Sequence, residues 1–343
     1  MTTASAGPGP DGAGPGTTRR TRSVRRAAGV VLAILCGVGM ATQSRVNGAL
    51  GQRLDDSLAA AVVSFGGGLL LLVTAFALSR RLRAGVAGAA AALRSGRLRP
   101  WHCLGGVAGA AFVASQSVTV AVLGVAMFTV GVVAGQTVSG LFVDRAGLGP
   151  GGARMLTWPR VVAALLTLGA VASALAGDLA HQADPGRAWL LAFPLAAGAG
   201  MAVQQAFNGH VSAASGSALT AALVNFTAGT TVLVAGWLIS LAVRGGPAAW
   251  PDNPVLYLGG PIGVVFIACA AVIVSWVGVL VFGLAAIAGQ LVGSVVLDLL
   301  LPAAPVPLRA STLLGCGIAL VAVALAGVGG RRATRAALEQ SGA

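Results

Sequence analysis

Charge is scarce in this chain. Only 9% of its residues are Asp, Glu, Lys or Arg, against roughly 25% in an ordinary soluble domain, so there is too little polar surface to face water on every side. Lysine is absent, and all 22 basic residues are arginine. No carboxylate falls at a clear mid-span depth, which removes the paired acids a membrane-embedded enzyme would need. His102, His181 and His210 are isolated, and Cys36, Cys103, Cys269 and Cys316 lie scattered in or beside apolar stretches without metal-ligand spacing. No metal site, no cofactor and no enzymatic activity are expected, and the cysteines read as small packing residues.

What is present is hydrophobic length. Apolar residues make up 56% of the chain, and the mean hydropathy is +0.87. A membrane helix takes about 20 apolar residues, because a rise of about 1.5 Å per residue must cover roughly 30 Å of hydrocarbon. Runs of that length place ten spans at 27–49, 58–79, 102–122, 125–144, 158–177, 188–209, 217–242, 255–274, 277–297 and 309–328. Val62 to Leu78 and Leu219 to Val243 are apolar or small on every side, which fits helices and not the alternating strands of a membrane barrel. Trp101, Trp158, Trp189, Trp250 and Tyr257 stand near span ends, where interfacial aromatics belong. Residues 1–26, rich in Gly, Pro and Thr and then Arg, read as a disordered basic cytoplasmic tail, and 330–343 as a second tail. A cleaved leader is disfavoured because the first span has an internal counterpart.

That counterpart is part of a repeat. Gly39-Met40-Ala41-Thr42-Gln43-Ser44-Arg45-Val46-Asn47-Gly48 returns as Gly200-Met201-Ala202-Val203-Gln204-Gln205-Ala206-Phe207-Asn208-Gly209, at an offset of 161, which also pairs Phe65 with Phe226 and Gly68 with Gly229. At an offset of 154, Leu104-Gly105-Gly106 matches Leu258-Gly259-Gly260, Ala134-Gly135-Gln136 matches Ala288-Gly289-Gln290, Phe112 and Phe128 match Phe266 and Phe282, and Asp144 matches Asp298. The units are 27–177 and 188–329. Five spans per unit is an odd number, so the second unit enters the membrane from the opposite side.

The arginines agree with that inversion. With the N-terminus in the cytoplasm, 17 of the 22 arginines fall in cytoplasmic segments, and the connection 80–100 carries six where its counterpart at 243–254 carries only Arg244. The fold class is therefore an all-α membrane protein of ten transmembrane helices in two inverted five-helix repeats, with both termini cytoplasmic. The net charge of +13 follows from this topology and from contact with anionic lipid, and no nucleic-acid partner is expected.

Polar side chains recurring at matched depths need a reason, since an unpartnered buried polar group costs about 1–3 kcal/mol. Gln43 and Asn47 share one helix face, Gln204 and Asn208 do the same in the second unit, and Gln136 and Gln290 each follow a glycine. These six amides are substrate-pathway candidates, with interhelical hydrogen bonding as the competing role. Arg45 is the charge within a span, and Asp144 and Asp298 lie at span ends; these three are the candidate coupling or gating charges, with anchor and capping roles as the alternative.

The repeated Gly-Met-Ala-x-Gln-x-x-x-Asn-Gly motif and the Ala-Gly-Gln segments leading to Asp144 and Asp298 resemble the drug/metabolite transporter superfamily, and within it the ten-helix YdcZ-type branch, over about residues 27–329. The resemblance implies a bacterial inner-membrane carrier with a central cavity between its halves. The glutamate that serves small multidrug-resistance relatives in their first helix is missing here, so drug–proton antiport does not carry over. The expected function is secondary transport, in the export direction, of a small polar, zwitterionic or amphiphilic solute by alternating access. A proton or sodium ion is the expected coupling partner, and the assembly is a monomer or homodimer. A channel or a non-transporting scaffold is the competing reading.

Overall fold

The computed structural model describes residues 15–153, 155–179, 189–247, 249–277, 279–301 and 309–341. Arg154 and Arg187, which enter the count of arginines, His181, and the chain ends 1–14 and 342–343 lie outside them. All elements among the described residues are helical: α1 (Pro15–Leu54), α2 (Ser57–Leu78), α3 (Arg80–Arg94), α4 (Gly105–Arg145), α5 (Trp158–Leu179), α6 (Ala192–Ser215), α7 (Ala218–Arg244), α8 (Gly259–Val277), α9 (Val279–Leu300) and α10 (Ala310–Ser341), with 3-10 turns at Pro100–Leu104 and Pro254–Tyr257.

Two elements differ from the sequence expectation, the connection 80–100 and the start of α1. The expected spans at 102–122 and 125–144 are the two segments of α4, which part at Gly124, whose φ of 80° lies in the left-handed region that a side chain rarely adopts. The apolar segment Pro100–Arg145 is 46 residues long, about two bilayer thicknesses at 1.5 Å per residue, so the break marks where the chain turns back. The connection 80–100 holds the amphipathic helix α3, too short to cross. Helix α1 begins at Pro15, so 15–26 is helical where a disordered tail is expected.

The repeat is visible in how the helices start. Asp56 caps α2 by accepting from the Ala59 N–H at 2.9 Å, and Ser217, at the matching position, caps α7 by accepting from the Thr220 N–H at 3.2 Å. The residue just before each cap, Asp55 and Gly216, has φ of 49° and 66°, ending α1 and α6 in the same left-handed turn. Asp56 also accepts from the Trp237 indole N–H at 2.9 Å, tying the α1–α2 turn to α7.

Packing then crosses between the halves. Helix α1 lies on α8 and α9, α6 lies on both segments of α4, and α2 pairs with α7 and α5 with α10 about a pseudo-two-fold axis. The main core sits on that axis. Phe65 and Phe226 meet there with ring centroids 4.9 Å apart, flanked by the matched pairs Phe112–Phe128 at 5.8 Å and Phe266–Phe282 at 5.9 Å.

Candidate functional site

Glycines set the frame on which the candidate amides stand. A β-carbon at Gly37 of α1 would collide with the Ala286 carbonyl and lie 2.6 Å from the Gln290 nitrogen of α9. Gly198 of α6 stands in the same relation to the Val132 carbonyl and, at 2.9 Å, to the Gln136 nitrogen of α4. From the other side, Gly289 and Gly135 press on the Ile34 and Leu195 carbonyls. Gln136 and Gln290 thus begin at two matched close helix crossings, and both are half-buried, with no hydrogen bond from either side-chain amide among the described residues.

The α1 amides are closed in. Gln43 is 5% exposed and its Nε2 donates to the Gly259 carbonyl at 2.9 Å. Asn47, fully buried, donates from Nδ2 to Gln116 Oε1 at 2.7 Å, and Gln116 donates from Nε2 to Ser44 Oγ at 2.8 Å. Ser44 in turn donates to the Met40 carbonyl. This chain of amides zips α1 to the 105–123 segment of α4, aided by Gly48 against Val120 and Gly51 against Ser117. Gln116 escapes a reading based on duplicated residues, because its repeat counterpart is Ala270.

The α6 amides are different. Gln204 and Asn208 are half-buried, Gln205 is exposed, and no hydrogen bond holds any of their side chains among the described residues. Gln204 Oε1 is shut away from solvent without a donor. Among the described residues the faces of α6 and α8 that correspond to the α1–α4 zip share no comparable packing, and Gly209, the counterpart of Gly48, instead faces Pro150. Where Gln116 stands in the first unit, Ala270 offers only a methyl group. One seam is therefore latched by hydrogen bonds and its inverted counterpart is not.

The charges follow the same division. Asp298 accepts from the Val125 and Ala126 N–H groups at 3.0 and 2.7 Å, so α9 holds the start of the second α4 segment just past Gly124. Arg45 donates from Nε to the Leu301 carbonyl at 3.0 Å, at the same end. Asp144, at the position matching Asp298, is ion-paired with Arg160 of α5. Gly278, the counterpart of Gly124, lies outside the described residues.

His102 and His210, isolated in the sequence, meet in the fold. Their rings are stacked with centroids 4.0 Å apart, and His210 Nε2 lies 3.1 Å from the Leu148 carbonyl, linking the start of α4 to the end of α6. They come from different units and occupy unmatched repeat positions, so neither spacing nor repetition signals the pair. Among the described residues no group of three or more metal-ligating side chains forms.

A family model described as "Putative inner membrane exporter, YdcZ" matches the chain at residues 28–173 and 189–325, one match for each unit. No curated protein matches the sequence. A solved structure described only as "Crystal structure of protein" aligns at 20% identity over 91% of this chain and 99% of its own, with a TM-score of 0.47.

Proposed function

We propose that this chain, which belongs to the YdcZ-type family of inner membrane exporters, moves a small polar, zwitterionic or amphiphilic solute outward by alternating access between its two units. The observation that carries this reading is the unequal pair of seams: α1 is hydrogen-bonded to α4 through Asn47, Gln116 and Ser44, while α6 and α8 are unlatched. A channel would need both ends open together. A carrier alternates, and an inverted repeat supplies the second state when the halves exchange their arrangements.

The unlatched seam is at the end of the molecule that holds α3 and the Asp144–Arg160 pair, the arginine-rich side. By the positive-inside rule this end, and both termini, face the cytoplasm, so the solute enters between α6 and α8. Gln204 and Asn208 meet it first, and Gln136 and Gln290 receive it at the midplane crossings. Gln43 and Asn47 close the route beyond until the seams exchange. Neutral amides suit a polar or zwitterionic cargo, with a proton or sodium ion as the coupling partner and the monomer or homodimer as the working unit.

Thermal unfolding of the purified protein against amino acids, nucleobases, sugars, amines and cationic drugs tests this directly. One solute class raises the melting temperature of the parent, since a ligand that binds only the folded form stabilises it by about 2.7 kcal/mol at 100 times its Kd. The same class fails to shift the double variant Gln136→Ala, Gln290→Ala, and proteoliposome flux of that solute falls with it. A shift of equal size in both proteins removes these two residues from the pathway.

A further inference from the structure

We propose that α3 and the turn that follows it form a docking surface for anionic phospholipid headgroups, through which lipid composition acts on the α6–α7 turn. The argument begins with charge that the protein leaves uncompensated. Arg80, Arg81, Arg94, Arg97 and Arg99 are all exposed. No Asp or Glu occurs between Asp56 and Asp144 in the sequence, and the one ion pair among the described residues joins Arg160 to Asp144. The sixth arginine of the segment, Arg83, is already engaged: its guanidinium donates to the Phe76 and Ala77 carbonyls and closes the end of α2.

The helix is also shaped for a surface. Gly85, Ala89 and Ala92 form its buried face, with Gly85 against Ser217 and Thr220 and Gly88 against Ser215. The remaining faces carry the arginines together with the exposed apolar residues Val86 and Leu93, and Trp101 stands exposed beside Arg99, whose guanidinium lies 5.0 Å from its ring centroid. Arginine beside exposed aliphatic and indole groups is the composition of a helix lying in the interfacial plane. The inverted connection, with Arg244 and Asp252, has no such surface.

Because α3 rests on the turn that joins α6 to α7, headgroups that hold α3 in the interface also hold that turn. The end of α6 bearing Gln204 and Asn208 is thereby biased toward one arrangement of the α6–α8 seam. This regulatory half rests on the transport reading; the lipid preference does not, and the two are measured separately.

The test uses the full-length protein in bilayers of phosphatidylcholine mixed with phosphatidylglycerol. Relative association of spin-labelled phosphatidylglycerol and phosphatidylcholine is read for the parent, for R80Q/R81Q/R94Q/R97Q and for the corresponding all-lysine variant. Each basic residue at an anionic surface contributes about 1 kcal/mol, so two arginines per headgroup predict on the order of a tenfold preference or more for phosphatidylglycerol in the parent. The lysine variant keeps that preference, the glutamine variant loses it, and raising the ionic strength erases it in the parent, a check that needs no variant to fold. A preference unchanged in the glutamine variant, or insensitive to salt, overturns the proposal. Displacement of the labelled lipid by inorganic phosphate at matched ionic strength also overturns it, by marking a free-phosphate site. Normal flux alongside a confirmed lipid preference, with flux equal in the two lipids, removes the regulatory half alone.

Discussion

Gly260→Val and Gly106→Val each abolish recovery of folded protein, whereas Gly66→Val is recovered like the parent. At Gly260 a β-carbon would collide with the Ser64 carbonyl and lie 2.5 Å from the Gly68 nitrogen of α2; at Gly106 it would collide with the Asn225 carbonyl and lie 2.7 Å from the Gly229 nitrogen of α7. Both obstacles are main chain within a helix, so no rotamer change relieves them and the helices must separate. Added bulk in a packed core costs about 1–3 kcal/mol when side chains can shift. With backbone on the far side the cost exceeds that range and approaches the total stability of a domain, about 5–15 kcal/mol. A β-carbon at Gly66 meets nothing within 4 Å. Size-exclusion profiles of the three variants after detergent extraction decide the matter: a monodisperse Gly260→Val protein with the parent's melting temperature contradicts the crossing geometry.

Gln116→Leu opens the latched seam. The substitution conserves the approximate bulk of a fully buried side chain while removing the acceptor for Asn47 and the donor to Ser44. Leaving a buried amide without its partner costs about 1–3 kcal/mol. That penalty weighs on the latched arrangement, so the equilibrium between arrangements shifts by about 5- to 150-fold. In a background with the four native cysteines replaced, a cysteine at Ser117, which is 3% exposed and faces Gly51, reports the change. A membrane-impermeant maleimide labels it about 5- to 150-fold faster in the Gln116→Leu protein, by the same free-energy estimate. Ala270→Gln is the mirror experiment: it places an amide at the position matching Gln116, where Asn208 and Gln205 stand in for Asn47 and Ser44, and slows labelling of a cysteine at Ser212, the counterpart of Gly51. Equal labelling rates with and without Gln116 make the hydrogen-bonded zip a packing contact with no part in gating.

The ten spans, their grouping in fives and the matched Ala-Gly-Gln segments are readable from the chain because each rests on something written twice. A residue that appears in both units at one depth stands out against an Ala-, Gly- and Val-rich background. Gln116 is written once, opposite Ala270, and so the residue that zips the seam carried no such mark. Gln43 and Asn47 were singled out, yet nothing in the sequence separated them from Gln204 and Asn208; that difference exists only in the unequal approach of α1 to α4 and α6 to α8. Asp298 was recognisable as a span-end charge, but not its partners, since the N–H groups of Val125 and Ala126 are presented by a break in α4 and not by a side chain. In 80–100 the count of arginines marks the side of the membrane, while the spacing of the small residues Gly85, Ala89 and Ala92 along one helix face is muted in so Ala- and Gly-rich a stretch.

The zip between α1 and α4 is made of neutral groups, and this bears on electrical behaviour. Carrying one elementary charge through 100 mV is worth about 2.3 kcal/mol, enough to make a conformational change strongly voltage-dependent. Carboxamides and a hydroxyl joining and parting at the seam displace no net charge, and the Asp144–Arg160 ion pair and the main-chain contacts of Asp298 stand at helix ends where little of the field falls. On the proposed transport reading the latch itself therefore adds no voltage dependence, and among the groups at this seam the field acts on Arg45, the charge within the α1 span, and on whatever the protein carries. A cargo that is zwitterionic, as proposed, crosses without a current of its own, and a current recorded from reconstituted vesicles then counts the net charge of the solute and of the proposed coupling ion.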